Sequence, residues 1–144
     1  MKKDNPIVLV EDDQDDIDIL NEIFKELNIK RDIVSFLDTD KAMEYLVTTN
    51  QQPFIIFCDI NLPRHNGVEF KRNIDEQPFL RRKSIPFVFY STSAERDIID
   101  EVYTDLTVQG FFTKGISYEE IIDDMRLILE YWRRCHHPNS VNKR

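Results

Sequence analysis

The residues able to do chemistry in this chain follow short apolar runs. Glu11, Asp12 and Asp13 come after Ile7-Val8-Leu9-Val10, and Asp59 comes after the run from Phe54 to Cys58. Ser91, Thr92 and Ser93 follow Phe87 to Tyr90, and Lys114 follows Gly110 to Thr113. Brought together, such a set has a specific use. Clustered carboxylates repel one another until a cation or a proton relieves them. Carboxylate oxygens with room for water suit Mg2+, and a bound dication polarises phosphoryl oxygens. A lysine on the other side supplies a second positive contact, and a small hydroxyl supplies a hydrogen bond. Asp59 is ionised at neutral pH, so it can attack phosphorus without a general base.

Each residue also has a bland reading. Acids at Glu11, Asp12 and Asp13 suit a helix N-terminus, where the dipole favours them. Asp59 is a plausible polar end to a strand, Lys114-Gly115 an ordinary turn, and Ser93 a cap for the helix that follows. The joint occurrence, after four separate apolar runs, favours the chemical reading.

The elements that must position these groups are legible. Five apolar runs, the second being Ile33 to Leu37, have the length of strands, and several are continuously apolar, as strands covered on both faces are. Helical spacing lies between them. Ile17, Leu20, Phe24 and Leu27 make one apolar stripe on a helix, and Ala42, Met43, Leu46 and Val47 read as a second helix. Val68, Phe70 and Ile74 mark a third helix, ended by Pro78, and Ile98, Ile99, Val102, Tyr103 and Leu106 a fourth. Ser117-Tyr118-Glu119-Glu120 fits a capping box opening a fifth, with Ile121, Met125, Ile128, Leu129 and Trp132 on its buried side. Strand and helix alternating five times predicts an α/β fold with a parallel sheet covered on both faces. Sites in such sheets lie at the carboxyl ends of the strands, where the residues above fall.

Composition agrees. The 144 residues suit one domain, and 19 basic against 27 acidic residues leave a net charge of −8, which disfavours nucleic acid as a partner. No run approaches a membrane span, and the short start before Ile7 is not a secretory signal. Cys58 and Cys135 lack metal-ligand spacing and read as free thiols in a reducing, cytoplasmic setting.

The motifs Val8-Leu9-Val10-Glu11-Asp12, Phe57-Cys58-Asp59-Ile60-Asn61-Leu62-Pro63 with Gly67, Pro86-Phe87-Val88-Phe89-Tyr90-Ser91-Thr92, and Phe112-Thr113-Lys114 together resemble the receiver domain of two-component response regulators, over roughly Asn5 to Arg134. The resemblance implies a flavodoxin-like doubly wound fold with five parallel strands in the order 2-1-3-4-5. It implies Asp59 as phosphoacceptor, and Mg2+ held by Glu11, Asp12, Asp59 and the backbone carbonyl of Asn61. Ser91 takes the place of the family's switch hydroxyl, Thr92 lines the entrance, and Lys114 contacts the phosphoryl group. Phe111 takes the place of the aromatic switch residue. Where the family usually has Pro after the lysine, commonly behind a cis peptide, this chain has Gly115, which does nothing to favour a cis bond.

The expectation is a receiver domain over residues 1–136, a short polar tail over 137–144 and no output domain. Such a protein is a signalling switch rather than a turnover enzyme. Its partners are a sensor histidine kinase or a histidine phosphotransfer protein, with a homodimer through the face of the fourth helix, fifth strand and fifth helix, carrying Ile98, Tyr103, Phe111 and Tyr118. A phosphorylation-independent interaction module is the alternative. A phosphohydrolase is the third class, disfavoured because Asn61 stands where such enzymes keep a second aspartate.

Overall fold

The computed structural model describes residues 5–92 and 95–138. Five strands form one parallel sheet: β1 (Ile7–Val10), β2 (Ile33–Phe36), β3 (Ile55–Cys58), β4 (Phe87–Ser91) and β5 (Gly110–Thr113). Their order is β2-β1-β3-β4-β5, as expected. The helices are α1 (Gln14–Glu26), α2 (Thr39–Thr48), α3 (Gly67–Glu76), α4 (Pro78–Lys83), α5 (Arg96–Asp105) and α6 (Tyr118–Arg134). The fourth and fifth helices expected from the sequence are therefore α5 and α6.

Alternation along the strands divides the core in two. Val8, Val10, Ile56, Cys58, Phe87 and Phe89 face one side, where Leu46 of α2, Phe70 and Ile74 of α3, Leu80 of α4 and Val102 of α5 cover them. Ile7, Leu9, Ile55, Phe57, Val88 and Tyr90 face the other, under α1 and α6. Burial on both faces is why β1, β3 and β4 read as unbroken apolar runs. The edge strands β2 and β5 are only partly covered.

Several expectations are corrected. Pro78 does not simply stop α3. Its ring presets a helical backbone angle, so it opens α4 at the first position, and Leu80 carries that short helix into the core. On α6, Met125, Ile128 and Leu129 are buried with Ile122, while Ile121 and Trp132 are half-buried. The second helix stands as expected, with Val47 of α2 exposed. His137, expected in a polar tail, is buried: its ring stacks on Phe54 with centroids 4.9 Å apart, and its Nε2 meets the Phe54 carbonyl. Residues 139–144 of the expected tail lie outside the described residues, as does Ser93, the expected cap of α5. The N-cap there is Glu95, which makes no side-chain cap bond. Both cysteines are free, Cys58 buried and Cys135 half-buried.

Candidate functional site

Backbone pairing beyond the strand ends sets the site. Glu11 N–H donates to the Phe36 carbonyl at 3.0 Å, Asp59 N–H to Val10 at 3.0 Å, and Lys114 N–H to Ser91 at 2.9 Å. The first residue past each of β1, β3 and β5 is thus fixed to its neighbouring strand. These residues gather at one edge of the sheet because the strands are parallel and in close register, with Val10 opposite Cys58 and Ser91 opposite Thr113. Gly67, the N1 residue of α3, packs beneath. A Cβ there would lie 2.2 Å from the carbonyl oxygen of Asp59, so only glycine lets α3 start so close to Asp59.

Asp59 is 7% exposed and Glu11 5%, while Asp12 is open to solvent. Ser91 Oγ donates to Asp59 Oδ1 at 2.7 Å, and the Asn61 backbone N–H donates to the same oxygen at 3.1 Å. Lys114 Nζ donates to Asp59 Oδ2 at 3.1 Å, to Glu11 Oε1 at 2.6 Å and to Asp16 Oδ2 at 2.8 Å. Glu11, Asp12 and Asp59 each place an oxygen within 4.8 Å of the others. Three carboxylate oxygens at that spacing, one set on the solvent side, fit a hard dication that keeps part of its water shell.

The electrostatics separate the two buried acids. Burial pushes the Glu11 carboxyl up to about 7, with Lys114 opposing and the Asp59 charge adding to the push. Burial acts on Asp59 too, but the Ser91 hydroxyl, the Lys114 charge and the Asn61 N–H hold it below its ordinary value. Burial works against the Lys114 charge, yet the bonds to Asp16 and Glu11 hold its proton more tightly than usual. At neutral pH Asp59 is therefore the anionic oxygen with a fixed orientation, as a nucleophile requires. The thiol of Cys58, pushed well up by burial, is inert.

The structure brings together Glu11, Asp12, Asp59, Asn61, Ser91 and Lys114. Thr92 lies at the margin, lining a cavity with Asp16, Tyr90 and Lys114. Phe111 does not touch this cluster: it is half-buried on the core, its ring centroid 5.8 Å from that of Phe89. Asp13 follows the bland reading and caps α1, accepting from Asp15 N–H. All peptides among the described residues are trans, that between Lys114 and Gly115 included. Gly115 is needed for room, since a Cβ would lie 2.7 Å from Cβ of Glu120 in the first turn of α6. Its N–H, absent in a proline, donates to Tyr90 Oη at 3.4 Å. Sequence reasoning missed Asp16, although the acidic run at the start of α1 continues to it.

A family model described as the response regulator receiver domain matches residues 7–133. Response regulator Rcp1 of Synechocystis sp. is 29% identical over 131 residues, which cover 88% of this chain and 87% of that protein. The crystal structure of the phosphorylated cyanobacterial phytochrome response regulator RcpA is similar with a TM-score of 0.81 at 32% identity, covering 90% of this chain and 94% of that one. The Mn2+-bound form of Rcp1 is similar with a TM-score of 0.79 at 28% identity, covering 91% and 96%.

Proposed function

Since the chain belongs to the response regulator receiver family, we propose that it takes a phosphoryl group from a phosphohistidine donor onto Asp59 and signals through altered protein binding. One observation carries this reading: a buried, ionised aspartate held between Ser91 and Lys114, with two further carboxylates within 4.8 Å. An Asp59 oxygen forms the bond to phosphorus as the bond from phosphorus to the donor's ring nitrogen breaks, and that nitrogen keeps the electron pair. Ser91 and Lys114 already bond the acceptor's two oxygens, so each can follow the charge onto the phosphoryl oxygens.

Glu11, Asp12, Asp59 and the Asn61 carbonyl would hold Mg2+, which when bound neutralises the acidic cluster and polarises the phosphoryl oxygens. The Mn2+-bound form of Rcp1 supports the binding of a divalent ion. Donor candidates are sensor histidine kinases and histidine phosphotransfer proteins. The phytochrome link of RcpA makes a phytochrome-type kinase the first to test. The protein is a switch and not a turnover enzyme, working in the cytoplasm; no helix among the described residues is long and apolar enough to cross a membrane.

Incubation with acetyl phosphate and Mg2+ should give an acid-stable, hydroxylamine-sensitive aspartyl phosphate, and Asp59→Asn should abolish it. Full labelling of that variant at another residue would sink the assignment. Millimolar Mg2+ should also raise the thermal midpoint of the wild type, and Asp12→Ala should remove that gain.

A further inference from the structure

An ammonium group has three protons, and three carboxylates take those of Lys114: Glu11 at 2.6 Å, Asp16 at 2.8 Å and Asp59 at 3.1 Å. The bond to the acceptor is the longest. Asp16 differs from the other two in place and surroundings. It belongs to α1, outside the group of Glu11, Asp12 and Asp59. Its side chain is 36% exposed, against 8% for Asp59. A cavity of about 140 Å3, lined in part by Asp16, Tyr90, Thr92, Lys114 and Gly115, opens on the same flank. The ammonium therefore has a buried side, facing the acceptor, and a wetter side, facing α1.

A phosphoryl group on Asp59 brings new oxygens carrying close to two negative charges. Lys114 can follow that charge with the N–H that now bonds Asp59, and can bring a second N–H to it only by freeing one from Glu11 or Asp16. Asp16 is the partner that water can solvate once it is left behind, so its bond is the one to give up. Resting on the assignment of Asp59 as acceptor, we propose that Asp16 is a positioning residue: it draws Lys114 toward α1 and opposes the phosphorylated state. Asp16 thereby sets how tightly the site holds a phosphoryl group and how long the group lasts. The dipole of α1 also favours an acid at this position, but it favours Asp15 equally. Asp15 is exposed and is not one of the three carboxylates that bond Lys114, which makes it the control.

The test titrates beryllofluoride, a phosphoryl mimic, into wild type, Asp16→Asn, Asp16→Glu and Asp15→Asn in Mg2+, followed by NMR of the Asn61 and Thr92 amides. Circular dichroism confirms folding of each. Asp16→Asn should bind the mimic about two- to five-fold more tightly, the range for a partly exposed ion pair. Asp15→Asn should match the wild type, and Asp16→Glu should return toward it. Without any variant, the Lys114 Nζ resonance of the wild type should move when the mimic is added. Equal or weaker binding by Asp16→Asn, or a Lys114 resonance that stays in place, overturns the proposal while leaving the acceptor assignment standing. Failure of the wild type to bind the mimic overturns both.

Discussion

At the scale of single residues, the site depends as much on what is missing as on what is present. Gly67 has no side chain because the Asp59 carbonyl occupies the space. Gly67→Ala should therefore cost about 1–3 kcal/mol by overpacking, read from urea denaturation, and it should disturb Asp59 as well. A variant as stable as the wild type would show that α3 can retreat freely. The sequence marked Asp59, the acidic pair, the hydroxyl and the lysine because each follows an apolar run directly. It could not mark Asp16, whose partner lies 98 residues away and whose setting reads as a helix start. Nor could it show why Gly115 replaces the usual proline. The answer is the closeness of α6 and the hydroxyl of Tyr90, and neither is visible without the packing.

At the scale of elements, the two-faced burial followed from patterning, since covered strands carry no polar alternation, whereas the strand order followed from the family resemblance. The short α4 did not, because a six-residue helix offers too few turns for a period, and its proline read as a stop. The expected output face changes most. Ile98 and Phe111 pack on the core beneath α5, and Tyr118 donates its hydroxyl to Glu26 at the end of α1. Of the four residues expected on this face Tyr103 is the most open and Tyr118 is also exposed, with Ile116, two residues after Lys114, 97% exposed. Phe111 sits on Phe89 of β4, two residues before Ser91, so movement of Ser91 toward a phosphoryl group has a short path to it. With beryllofluoride, amide shifts should reach residues 98 to 118, and they should shrink in Phe111→Ala. Light scattering on the same samples tests the homodimer through this face. Shifts confined to the loops around Asp59 would refute the route.

At the scale of the molecule, the chain closes on itself at the end opposite the site. His137 lies on Phe54 with Arg31 over the same ring, its Cζ 3.7 Å from the centroid, and Trp132 edge-on to the imidazole. Burial lowers the proton affinity of His137; the Phe54 carbonyl works against this and Arg31 adds to it. A depressed folded value means the contribution to stability is complete above the ordinary value of 6.5 and is lost as pH falls through the folded one. His137→Phe keeps a ring on Phe54 but has no proton to gain. Its urea midpoint should fall less than that of the wild type as pH drops from about 7 to 5; equal slopes would clear His137 of any part in acid sensitivity. The lysine of the site has a different consequence, set by the order in which a ribosome makes the chain. Its carboxylate partners lie 103, 98 and 55 residues earlier. A nascent chain thus carries Glu11, Asp16 and Asp59 before the Lys114 that balances them, and it cannot assemble this cluster until β5 has emerged and docked. On the proposed function, competence to take phosphate is a report that synthesis has run through β5.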